Sequence, residues 1–259
     1  MELIFDGRLV EVEIQGKGPP LLLIHSLLTD PAAFDLILPG LTPRHTVCRV
    51  SLPGFGKSSV LDDPSIEDLA DWVAGVLETL ELGPDGAVLG NGLGGFVAVA
   101  LAFRHGPLFD RLIATNCGAV FSPQRSEAFH TMSRMVEEEG MEAVVNTAVR
   151  RIFPTHYVEQ TPSVVEERRR VLLTVDPRAF AAACRALAAM DLRPYLPKID
   201  NPTLVVVGAD DETTPPDMAA DLANGIRSAS QVTLEDCGHC PQLQQPGALV
   251  EVIRTFLDD

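Results

Sequence analysis

The chain has 259 residues, 46% hydrophobic and 22% charged, ordinary globular usage that argues against disorder and supplies a sizeable core. Thirty-six acidic against 20 basic residues leave a net charge of −16, which opposes binding to nucleic-acid phosphates or anionic lipid surfaces. No run reaches the ~18 apolar residues of a membrane span.

The first residues, "MELIFDGRLVEVEIQGKGPP", show no basic segment followed by a long apolar stretch. With five cysteines, an odd number read as reduced thiols, a cytoplasmic location is expected. Within that segment apolar and polar residues alternate around Asp6-Gly7, the pattern of a hairpin at a sheet edge. "PPLLLIH", Pro19 to His25, is continuously apolar, as a strand buried on both faces of a parallel sheet would be. Similar runs recur at "HTVCRVSL", "GAVLGN", "RLIATNC", "PTLVVVG" and "SQVTLED".

Helical patterns separate most of them. "SIEDLADWVAGVLETLELG" places Ile66, Leu69, Trp72, Val73, Val76, Leu77 and Leu80 at the 3.6-residue period, with Ser65 as N-cap and Gly83 past the end. "LGGFVAVALAFRHG" is apolar nearly all round and should lie buried against the sheet. The alternation predicts an α/β fold, a mostly parallel, doubly wound sheet with ligands at the carboxyl ends of its strands. From 121 to 195 the strand signal gives way to charged amphipathic helices, a helical insertion placed to cover those strand ends as a cap or lid. The core then comprises 1–120 and 196–259. Nothing repeats internally.

"AVLGNGLGG", Ala87 to Gly95, runs from a strand through a glycine turn into a helix, the outline of a nucleophile elbow, G-x-S-x-G. Gly92 stands where the serine belongs. "GADDETTPP" puts Asp210 and Asp211 on a loop after a strand, and "EDCGHCPQLQQP" puts His239 after the next one. A lone aspartate in such a loop is ordinarily a turn former, and a lone histidine a surface residue. The joint order of elbow, acid and histidine at the ends of core strands carries the functional reading. Cys237 and Cys240 around His239 lack the second ligand pair of a zinc site, so no metal is implied. "GNGLGG" does not open a βαβ unit near the chain start, and no P-loop lysine follows, so no nucleotide cofactor is implied either.

These segments together resemble the α/β-hydrolase superfamily over the whole chain. "LLLIHSLLTDPAAFD" matches its oxyanion-loop segment and "SLPGFGKSS" its D-x-P-G-x-G-x-S segment. "GADDETTPP" matches the acid loop, and "CGHCPQLQQPGALVEVIRTFL" the histidine loop with the final helix. Within it, "LLTVDPRAFAAACRALAAMDLRPYLPKIDNPTLVVVGADDETTPP" is similar to the cap-to-core junction of 3-oxoadipate enol-lactonases. "HSLL" resembles their oxyanion loop, where many relatives carry His-Gly.

The resemblance implies Asp211 as the triad acid, His239 as the base, the amides of Ser26 and Leu93 as the oxyanion hole, and Gly92 at the nucleophile position. It also implies a small-molecule partner, an ester, lactone or enol-type substrate carrying a carboxylate. Arg134, Arg150, Arg151 and Arg168 to Arg170 of the insertion are candidates to pair with it. Charged residues on amphipathic helices are mostly solvated, and "EERRR" reads as local ion pairing. Ser26 and Cys117 border the expected pocket, but in the family geometry neither faces the histidine, so no replacement nucleophile is expected. Three readings stay open. The chain is an inactivated form of a serine esterase or lactonase, a nucleophile-less enzyme using the His239–Asp211 dyad as general base, or a small-molecule binder. Oligomeric state is open too, a homo-oligomer included.

Overall fold

A computed structural model describes residues 1–258. Eight strands form one sheet in the order β1-β2-β4-β3-β5-β6-β7-β8. They are β1 (Glu2–Phe5), β2 (Arg8–Gly16), β3 (Pro20–Ile24), β4 (Thr46–Val50), β5 (Ala87–Asn91), β6 (Arg111–Thr115), β7 (Thr203–Gly208) and β8 (Ala229–Leu234). The expected hairpin joins β1 to β2 at the sheet edge, where Asp6 and Gly7 both take the left-handed conformation at φ 49° and 71°. β2 is also antiparallel to β4, and every other pair is parallel.

The continuous apolar runs are explained by two separate cores. Along β3, Leu22 and Ile24 face one cluster while Leu21 and Leu23 face the other. β7 repeats this with Val205 and Val207 against Leu204 and Val206. Alternate side chains leave a strand on opposite faces, so a strand covered on both sides must be apolar at every position.

Helices α1 (Leu38–Leu41) and α11 (Pro246–Asp258) cover one face, and α2 (Ile66–Thr79) and α3 (Leu93–His105) the other. Ser65 caps α2 with a full capping box: its hydroxyl accepts from Asp68 N–H at 3.1 Å while the Asp68 carboxylate accepts from Ser65 N–H at 2.9 Å. The end of α2 differs from expectation. The left-handed reversal falls on Glu81 at φ 50° rather than at Gly83, and Leu82 N–H closes the turn on Leu77 O at 3.2 Å.

Between β6 and β7 lie five helices, α4 (Pro123–Glu139), α5 (Glu142–Ile152), α6 (Thr155–Gln160), α7 (Pro162–Leu172) and α8 (Pro177–Ala189). A bridge between Val120 and Asp191 draws the two ends of this helical segment together. α6 was not foreseen, since its six residues are too few to show a period. Helices α9 (Pro216–Gly225) and α10 (Pro241–Gln244) follow β7 and β8. No helix among the described residues is long and apolar enough to cross a membrane.

Candidate active site

The turn from β5 into α3 is the sharp bend of a nucleophile elbow. Gly92 sits at φ 54° and ψ −119°, a region that is strained for any residue with a Cβ and free for glycine. Its amide donates to Thr115 O at 3.0 Å, and Gly94 N–H donates to His25 O at 3.1 Å, tying the bend to the neighbouring strands. Gly90 and Gly94 are glycines for a different reason. A Cβ on Gly90 would overlap the Gly94 carbonyl, and one on Gly94 would overlap the carbonyl of Ile24.

Asp211 and His239 follow β7 and β8 and meet beside this bend, His239 Nδ1 lying 2.9 Å from Asp211 Oδ2, with both side chains almost fully buried. Asp211 Oδ1 accepts the amides of Thr213 at 2.8 Å and Thr214 at 3.1 Å. Its Oδ2 also accepts the Thr214 hydroxyl at 2.7 Å and Asn116 Nδ2 at 2.8 Å. Burial would raise the Asp211 carboxyl, but the charge of His239 and the hydrogen bonds from His239, Asn116 and Thr214 outweigh it and hold the group below its ordinary value. An ionised carboxylate at Nδ1 fixes the proton there, which leaves Nε2 bare as a proton acceptor. The histidine backbone is fastened as well: Asn91 Nδ2 donates to His239 O at 3.1 Å, and His239 N–H donates to Ile152 O, in the helical segment, at 3.1 Å. Asp210, its neighbour in the loop, is exposed and takes no part.

The loop after β3 departs from expectation twice. The Ser26 amide donates to Thr29 Oγ1 at 3.1 Å, so it is not a free donor facing the cavity. The next amide, Leu27, has no acceptor among the described residues, and neither has Leu93 at the first position of α3; both residues line the cavity. His25 explains how Leu27 comes to point there. Its Nε2 accepts from Leu52 N–H at 3.0 Å, so the proton is on Nδ1 and is donated to Ser26 O at 2.8 Å. In a trans peptide the N–H points opposite to the C=O, so holding Ser26 O on one side turns Leu27 N–H to the other.

The second departure concerns the Ser26 side chain. Its hydroxyl does face the histidine, with Oγ 3.4 Å from His239 Nε2. A Cβ at position 92 would overlap Ser26 Oγ and stand only 2.8 Å from His239 Nε2. The hydroxyl lies in space that a side chain at 92 would need.

The cavity over Gly92 is small, about 20 Å³, room for about one water. Leu28, Phe96, Phe121, Phe129, Met132 and Leu187 make most of its wall apolar, and four of these come from the segment between β6 and β7. Arg151 is its one cation, and the guanidinium makes no ion pair or hydrogen bond among the described residues. The other arginine candidates lie elsewhere. Arg134 pairs with Glu127 at the surface, Arg169 with Glu166, and Arg150 and Arg170 are exposed. Arg168 makes the expected local ion pair, with Glu167 at 2.9 Å, but is only 2% exposed rather than solvated, and also reaches out of α7 to Asp30, beyond the Ser26 loop, at 2.7 Å. Cys117, Cys237 and Cys240 are buried free thiols, and burial pushes all three up, Cys237 to about 12, which leaves them protonated and unreactive at neutral pH.

Known proteins resemble this chain over most or all of their length. The chain is 27% identical over 244 residues to 3-oxoadipate enol-lactonase 2 of Acinetobacter baylyi, covering 94% of this chain and 90% of that one. It is 30% identical over 263 residues to the pimeloyl-[acyl-carrier protein] methyl ester esterase of Aeromonas hydrophila, covering 96% and 99%. Among solved structures, the enol-lactonase from Burkholderia xenovorans LB400 superposes with a TM-score of 0.94 at 29% identity, each chain covered in full. The pattern of the alpha/beta hydrolase family matches residues 21–252, from β3 into α11. The chain belongs to the alpha/beta hydrolase family.

Proposed function

We propose that the chain hydrolyses a small carboxylic ester or enol-lactone that itself carries a carboxylate, with the Asp211–His239 dyad as its acid–base machinery. The observation that carries this reading is the dyad itself, 2.9 Å apart and buried, with four further donors on the carboxylate. A pocket that only binds gains nothing from a desolvated carboxylate aimed at an imidazole. In the reaction, His239 Nε2 takes the proton of the attacking oxygen and returns it to the leaving group, while Asp211 keeps the tautomer and offsets the imidazolium charge.

The amides of Leu93 and Leu27 receive the negative charge that develops on the carbonyl oxygen. Arg151 accounts for the substrate carboxylate: it is an unpaired, half-buried cation on a mostly apolar wall, free to form a charge-assisted hydrogen bond with an anion. The segment between β6 and β7 acts as a lid, and because the cavity holds only about one water, entry requires it to move. The relatives' activities, on an enol-lactone and on a methyl ester, support the substrate class.

The test is a screen of p-nitrophenyl esters and enol-lactones with and without a carboxylate. Turnover that His239→Ala abolishes is expected, together with a KM raised about 10-fold or more by Arg151→Ala for the carboxylate-bearing members alone. A ligand held at sub-micromolar affinity and never turned over would instead identify a binding protein.

A further inference from the structure

Gly92 removes the hydroxyl that an enzyme of this architecture uses to attack, yet the space is not empty. Ser26 Oγ occupies part of what a side chain at 92 would fill, and His239 Nε2 leans to within 2.8 Å of where its Cβ would be. We infer that Ser26 is the nucleophile of this site, its hydroxyl carried in from the loop after β3 instead of from the elbow; the inference rests on the hydrolase reading above.

Three observations support it. The hydroxyl is aimed. Because His239 Nδ1 donates to Asp211, Nε2 has no proton, and the 3.4 Å contact can only be Ser26 Oγ–H donating to it. Nε2 is also the only hydrogen-bond partner of that hydroxyl among the described residues. A nucleophile, a base and a third group that orients the base are thereby aligned, with the looser nucleophile–base distance common before substrate binds.

The backbone of Ser26 is also rigid. Its amide is held by Thr29 Oγ1, and its carbonyl accepts from both His25 Nδ1 at 2.8 Å and Thr29 N–H at 3.2 Å. Finally, the amide that follows Ser26 is the unpartnered Leu27 N–H. An elbow serine has the same relation to the amide after it, so attack from Ser26 keeps a donor within reach of the new oxyanion.

The chemistry balances without a further reactant besides water. Ser26 Oγ bonds to the substrate carbonyl carbon as its proton passes to His239 Nε2. The tetrahedral species collapses by breaking the bond to the alkoxy or enol oxygen, which takes that proton. Water then adds to the acyl carbon, giving its proton to Nε2, and the bond to Oγ breaks as Nε2 returns the proton to it. One ester and one water become one acid and one alcohol or ketone, with no change of oxidation state.

The test combines rates on p-nitrophenyl butyrate with peptide mapping after exposure to diethyl p-nitrophenyl phosphate, which leaves a diethylphosphoryl group on an activated serine. The expected result is a label on the peptide containing Ser26, absent from Ser26→Ala and His239→Ala, with the Ser26→Ala rate down at least 100-fold. The double variant Ser26→Ala/Gly92→Ser is the control. Recovering turnover and a label at position 92 shows that the dyad and pocket of Ser26→Ala are intact, so the loss belongs to the hydroxyl. Unchanged turnover in Ser26→Ala, or a label elsewhere in the native chain, overturns Ser26 as nucleophile and leaves the hydrolase reading standing. An inactive native chain with an active double variant also overturns it. Inactivity of both chains on every ester and enol-lactone tried sinks the hydrolase reading itself.

Discussion

The two edges of the His239 ring are built differently. At Nδ1 stands a carboxylate with five donors from three stretches of chain, Asn116 after β6, Thr213 and Thr214 after β7, and His239 itself. At Nε2 stands one hydroxyl at 3.4 Å, beside the glycine at the bend from β5 into α3. The first edge is over-determined: removing any one donor leaves four. The second depends on the absence of a single Cβ. The arrangement is therefore robust on the side of the carboxylate and sensitive on the side of the hydroxyl.

Asp211→Asn breaks the robust edge at its centre, and the largest loss is expected there. An amide can present its NH₂ to Nδ1, which moves the imidazole proton to Nε2 and leaves no acceptor for the attacking hydroxyl. A fall in kcat of about 10⁴-fold is expected, together with a lowered melting temperature, because the buried Asn116 NH₂ then faces another NH₂ where it had an acceptor. Steady-state kinetics on the best ester checks it. A loss below 10-fold would mean that the dyad does not run the reaction.

Much of this edge was legible in the sequence. Continuous apolar runs marked the parallel strands, and each station of the dyad came directly after one, so chain order alone brought Asp211 and His239 together. The other edge was not legible, because the position of Ser26 depends on a side chain missing 66 positions further on, and no local pattern encodes a gap. The family geometry even argued against it, since there the space belongs to the elbow residue. His25 was invisible for a related reason: a histidine ending an apolar run says nothing about which ring nitrogen will meet Leu52. For Arg168 the local ion pairing read from "EERRR" is present, to Glu167 at 2.9 Å, but its burial was not legible. One guanidinium of that run turns inward to Asp30, and the 3.6-residue period cannot tell it from its neighbours.

The sensitive edge can be probed through stability. Gly92→Ala forces a Cβ onto φ 54°, ψ −119° and into Ser26 Oγ, so a cost of about 1–3 kcal/mol is expected from the backbone, with crowding added. In a Ser26→Ala background the overlap with Oγ is gone, and the penalty should shrink by about 0.5 kcal/mol or more, a coupling that urea unfolding of the four-chain cycle measures. Equal penalties in both backgrounds would show that the hydroxyl is not held in the gap beside residue 92.

The smallest effect expected is on acid stability, and it separates the edges by pH. His25, behind the Ser26 loop, is fully buried, and desolvation holds it below its ordinary value despite bonds to the Ser26 and Thr29 backbone. It is neutral when folded, with Nε2 accepting from Leu52 N–H, so a second proton has nowhere to go without breaking that bond. The unfolded chain binds that proton below about pH 6.5. Since the unfolded state then carries more protons, stability is complete above about pH 6.5 and falls as the pH drops, by at most about 1.4 kcal/mol per unit from this group. His45, also lowered by burial, adds a fall of the same sign. Asp211, held below its ordinary value, gives its contribution above about pH 4 and loses it only at lower pH. Between pH 6.5 and 5, then, the loss of stability comes from the buried histidines, while the contribution of Asp211 stays intact. His25→Asn should flatten the decline of melting temperature over that range and leave the decline below pH 4 in place. A native profile flat from pH 7 to 5 would mean that His25 accepts its second proton in the folded state, and that the Ser26–Leu27 peptide is not pinned by the tautomer.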